Sequence, residues 1–172
     1  MYDGLYGPAS DFNNLVLAEF HHSEAAFHKL IHDKEASALD ELAAVLYREP
    51  KPGYDMKKNI DGDIRVKFNH GSLEYYTSKV RQWPPAVKQG IAIWYNACRQ
   101  NLLENYKPAF QGSGQTKDVQ YFEGLFGMIR GLSGPKYGTF KEVEQMNVHT
   151  AFMDIVLSLQ EAEELKQQSE QK

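Results

Sequence analysis

Residues 84–106 read PPAVKQGIAIWYNACRQNLLENY, and this stretch decides the fold. Val87, Ile91, Trp94, Cys98 and Leu102 recur at spacings of four, three, four and four, the period of one helix face. Pro84 and Pro85 suit a first turn, where a missing N–H leaves nothing unbonded. The spacing therefore predicts a long helix from Pro84 to Tyr106, with Trp94 as its central core anchor. The stretch holds no evident chemistry, and that is true of much of the chain.

Working outward, the same period recurs on both sides. Upstream, a helix is expected over 14–33, with Val16, Phe20, Phe27 and Ile31 on one stripe. A second is expected over 37–47, with Ser37 as N-cap and Leu39, Leu42, Ala43 and Leu46 facing inward. A third, over 72–82, presents Leu73, Tyr76 and Val80, and Trp83-Pro84 stops it. Downstream, helices are expected over 118–132 and from Thr139 onward. Thr139-Phe-Lys-Glu142 has the form of a capping box. Val148, Phe152, Ile155 and Leu159 make the last face.

Between these stretches lie connectors. Residues 48–63, REPKPGYDMKKNIDGD, are rich in proline, glycine and charge. Ile64-Arg-Val-Lys-Phe68 then alternates apolar and basic, which suits a short extended segment with one buried side. Residues 107–117 read as a flexible connector. The expected fold is all-α: a single-domain bundle of about six helices with a short extended segment near residues 62–69. Residues 1–13 form an N-terminal arm, 14–160 the helical domain and 161–172 a polar tail.

Composition sets limits on function. The chain has 172 residues, a formal net charge of −4 and one cysteine, Cys98. Its acidity argues against a general hold on nucleic acid. No apolar run approaches the roughly 20 residues of a membrane span, and the start lacks the pattern of a secretory signal. A lone cysteine suits a reducing compartment.

Three constellations have residue types capable of chemistry. His21, Glu24, His28 and His32 share one helix face, and such groups bind zinc or nickel. One straight helix spreads them too far along its axis to enclose an ion, so no metal site is expected. The loop Lys57–Ile64 resembles a calcium loop, but Lys57 and Phe68 stand where its strongest ligands belong. Cys98 lies on a core stripe and reads as a structural thiol. No cofactor is implied, and no enzyme activity is expected.

The aromatic pairs Tyr75-Tyr76, Trp94-Tyr95 and Tyr121-Phe122 suggest a different role. Tyr76, Trp94 and Phe122 fit the core stripes. Tyr75, Tyr95 and Tyr121 are then the exposed partners and the candidate protein-binding residues, because tyrosine is enriched at interface hot spots.

Four stretches carry a resemblance. Leu39–Arg48 (LDELAAVLYR), Gly62–Asn69 (GDIRVKFN), Ile93–Arg99 (IWYNACR) and the opening Leu5–Phe20, with LYGPA and AEF, are similar to small proteins of tailed bacteriophages and prophages. Those proteins tend to sit among tail-morphogenesis genes, where tail-assembly chaperones are found. The resemblance implies a cytoplasmic or virion-associated protein that serves tail assembly by binding another tail protein or itself. It brings no catalytic residues. The alternatives are a virion structural subunit that oligomerises and, in another class, a metal-dependent helical-bundle enzyme.

Overall fold

The computed structural model describes residues 1–55, 62–111 and 127–170. The protein is all-α, and among the described residues extended chain pairs only through isolated bridges. Its helices are α1 (Leu17–His28), α2 (Ala38–Leu46), α3 (Leu73–Val80), α4 (Pro85–Asn105), α5 (Lys107–Gln111), α6 (Phe140–Glu144) and α7 (Val148–Glu170). Residues 127–132 are also helical. The remaining positions of the helix expected over 118–132 lie outside the described residues.

α1 starts late. Asn14 is still in a turn and Val16 is extended, and the Val16 N–H donates to Glu19 Oε2 at 2.9 Å, which satisfies one orphan donor of the first turn. α1 passes into a π-helical turn, Lys29–Asp33, that stops at Lys34 in the left-handed region. Ser37 makes no capping bond before α2, contrary to the expectation. Glu142 and Thr139 form their capping box as expected. The helix expected from Thr139 onward is broken, because Asn147 caps a new one. Its Oδ1 accepts from the His149 N–H at 2.9 Å while its amide donates to the Asn13 carbonyl. Residues 107–111, expected as a connector, add the short α5, with Pro108 in its first turn.

α2 lies at the centre, packed against α1, α3 and α4, while α5 meets α7. Leu42, Ala43, Leu46, Phe20, Tyr95, Leu102 and Phe152 are among its fully enclosed core residues. The arm belongs to this core. Leu5 and Phe12 are buried. Phe12 sits in the left-handed region, a costly conformation for a bulky residue. Its ring is held 5.2 Å from that of Tyr95 and 5.6 Å from that of Trp94. At the arm's start, Trp83 Nε1 donates to Asp3 Oδ2 at 3.2 Å and its ring meets Tyr2 and Tyr47.

α4 has the predicted period with a shifted phase. Its buried face is Lys88, Ile91, Ala92, Tyr95, Cys98 and Leu102. Trp94 is only partly buried at the edge of the core. α7 outruns the body: Val148, Ala151 and Phe152 are buried, whereas every residue from Leu157 to Glu170 is exposed.

A candidate binding cleft over a buried ion cluster

The extended segment near 62–69 keeps its apolar–basic alternation at Lys67 and Phe68 but breaks it at residue 65. Arg65 is its fully buried residue, and Ile64 and Val66 are half-buried. The reason is a set of partners from three elements. Arg65 Nε and Nη2 form a fork on Asp63 at 2.9 and 3.0 Å. Nη1 donates to the Leu46 carbonyl at 2.9 Å and Nη2 to that of Asn14. Glu19, also buried, faces Arg65 Nη1 at 3.2 Å and pairs with Arg48. Arg48 donates to the Val45 and Val66 carbonyls. Two guanidinium groups thus close the C-terminal carbonyls of α2. Burial pulls the Arg48 pKa below its ordinary value, and the Glu19 carboxylate opposes it. Arginine remains charged, and the two acids balance the two cations.

Above this cluster runs a cleft between α1, residues 65–70 and the C-terminal segment. One lobe, about 330 Å³, is walled by Asn14, Val16, Lys51, Lys67 and Asn147, with the ion cluster beneath. The other, about 760 Å³, is walled by His21, His22, His70, Lys141 and Glu144 over Ala18, Phe68, Ile129 and Phe140. The lobes meet at Phe68 and Gln145. Phe68 is fixed there by Ala18 and Val45 beneath it and by the Arg48 guanidinium 5.6 Å from its ring centre. The cleft is thus an apolar floor with a polar rim that includes the exposed Lys67 and Lys141.

The histidine face of α1 is divided by the fold. His22 stacks on His70 at 6.1 Å and meets His21 at 5.5 Å. Burial, with His21 and His70 adding to it, lowers the His22 pKa to about 4, so the ring is neutral at pH 7. His28 stacks on His32 at 4.5 Å, further along the chain. Glu24 points elsewhere, into the core. Among the described residues no group of three or more His, Cys, Asp or Glu is placed to hold a metal ion.

Of the candidate tyrosines, Tyr75 is half exposed. Its hydroxyl donates to Glu49 Oε1 at 2.7 Å, and Lys79 Nζ lies 4.6 Å from its ring centre. Tyr95 is not exposed: it is fully buried, a correction to the sequence reading. Its hydroxyl donates to Glu24 Oε1 at 2.7 Å, and Arg99 Nε donates to the same carboxylate at 2.7 and 2.9 Å. A buried carboxylate therefore draws Tyr95, rather than Trp94, inward. Tyr121 lies outside the described residues. Cys98 is buried, and burial raises its thiol pKa.

Sequence reasoning missed Glu19, Arg48, Asp63 and Arg65, and with them the cleft. Their pairing spans 46 residues between Glu19 and Arg65, and no local pattern announces it. Arg65 and Lys88 are likewise buried on Asp63 and Asp40. The stretches that carry the phage resemblance do meet here. Glu19, Arg48 and Arg65 come from three of them, and Tyr95 and Arg99, from the fourth, lie behind α1 on Glu24.

No family model, curated protein or solved structure matches this chain. Among the described residues no helix is long and apolar enough to cross a membrane.

Proposed function

We propose that this is a non-enzymatic interaction protein that holds an apolar helical segment of another protein in the two-lobed cleft. In its most concrete form, it serves the assembly of a phage or prophage tail inside the host cell, as a chaperone-like partner of another tail protein. The observation that carries the binding reading is the cleft, with Phe68, Phe140 and Ile129 on its floor and lysines on its rim. An amphipathic helix lays its apolar face into such a groove and meets the rim with its charges. The phage assignment is supported by the resemblance of the four stretches alone. A virion subunit that oligomerises is the second reading, favoured by the exposed length of α7.

The test is affinity capture from the native host, comparing the parent with Lys141→Glu, a change on the exposed wall of the cleft. A specific protein held by the parent and lost by the folded variant supports the proposal, and a tail protein among the captured set supports its concrete form. A partner held equally by both would contradict the cleft as the site.

A further inference from the structure

The last part of α7 is exposed along its length, with Lys136 near enough to Glu161 to feel its charge. Residues 157–170 would extend about 21 Å beyond the body at 1.5 Å per residue. Fourteen residues are too few to be reliably helical in water without packing. Their apolar residues are not scattered. Val148, Phe152 and Ile155 face the body, and the same stripe runs on as Leu159 and Ala162, with Leu165 beside it. Leu157, Leu159 and Leu165 are exposed by 47%, 47% and 66%. Glu161, Glu163 and Glu170 flank the stripe and Glu164 lies on the far side, while Lys166 sits on the stripe's own face.

This is an acidic amphipathic helix, and the same chain carries its complement. The larger lobe of the cleft has a floor of Ala18, Phe68, Ile129 and Phe140 and carries Lys141 on its wall, while Lys67 stands in the adjoining lobe. Of the described acids along the cleft, Glu19 and Asp63 are already paired with Arg48 and Arg65, which leaves Glu144. α7 is one continuous helix whose far end is exposed, so it does not bend back to fill its own cleft.

We infer that the occupant is a second copy: residues 157–170 of one chain lie in the cleft of another, Leu159, Ala162 and Leu165 down, the glutamates toward Lys67 and Lys141. The contact joins two different surfaces, so a two-fold pair uses it twice, whereas a pair without that symmetry leaves a free end to grow. The inference rests on the binding reading of the cleft and names one ligand for it.

Sedimentation equilibrium of the full chain tests it, with thermal unfolding as the check of fold. The purified parent is expected to associate reversibly. Truncation after Val156, Lys67→Glu with Lys141→Glu, and Glu161→Lys with Glu163→Lys should each weaken association by about tenfold or more. The combined charge reversal should recover most of it, since restored complementarity restores the pairing. A parent that stays monomeric at millimolar concentration, association that survives truncation, or a combined variant as weak as the single sets overturns it. Capture of a different protein by the cleft does not depend on residues 157–170, so that proposal can stand while this one fails.

Discussion

Tyr95 and Glu24, 71 residues apart in the chain, share a buried hydrogen bond of 2.7 Å. The bond ties the middle of α4 to α1 and fixes which face of α4 turns inward. Arg99 supplies the charge that makes a buried carboxylate tolerable. Tyr95→Phe keeps the ring and removes the donor. It should cost about 1–2 kcal/mol in urea unfolding. Tyr95→Ala also empties ring volume and should cost about 3–5 kcal/mol. Trp94→Ala, at the edge of the core, should cost clearly less than Tyr95→Ala. The reverse order would mean that the phase assigned to α4 is wrong.

Arg65 is the keystone of the ion cluster. Arg65→Met removes one partner and leaves Glu19 and Asp63 facing a single guanidinium. The expected loss is about 3–5 kcal/mol. Arg65→Lys should rescue little, because one ammonium cannot replace a fork on Asp63 together with bonds to two carbonyls. Chemical denaturation of both variants decides it, and full stability in the lysine variant would show that only charge matters.

His22 couples stability to pH. In the unfolded chain its ring takes a proton near pH 6.5, whereas in the fold it does so only near pH 4. Above pH 6.5 both states are neutral and there is no penalty. As pH falls from 6.5 toward 4, the unfolded state gains a proton that the fold resists, and stability drops. After allowance for solvent screening, the loss due to this ring is on the order of 1–2 kcal/mol. Unfolding measured at pH 7 and pH 4.5 should show a smaller loss in His22→Gln than in the parent. Equal losses would place the effect on other groups.

Lys34 ends the π-helical turn after α1 in the left-handed region, with φ near 59°. Lys34→Gly removes the steric cost of a side chain there and should raise stability by about 0.5–1 kcal/mol. A loss in thermal unfolding would show that the Lys34 contact with the Ile31 carbonyl outweighs the backbone term.

The helices were legible because their periods are local. Pro84–Tyr106 shows its length and end in sequence, and Thr139 with Glu142 announces a helix start. The phase of α4 was not legible. A hydrophobicity pattern favours Trp94, and only the distant Glu24 makes Tyr95 the better inward residue. The same holds for Arg65. Its alternation with Ile64 and Val66 suggests a solvated cation until Glu19, Asp63 and the free carbonyls of α2 are brought around it. Asn147 was overlooked because Val148, Phe152 and Ile155 continue the preceding pattern smoothly. The cleft is assembled from α1, residues 65–70 and residues 129–147, so no single stretch contains its signature.

The most direct measurement of the central claim is site-specific photo-crosslinking in the native host, with the probe at Lys141 on the cleft wall or at Gln100 on the exposed side of α4. The account predicts a discrete protein adduct from position 141, either with another protein or with a second copy, and none from position 100. No adduct at 141, or the same adducts at both positions, would contradict it.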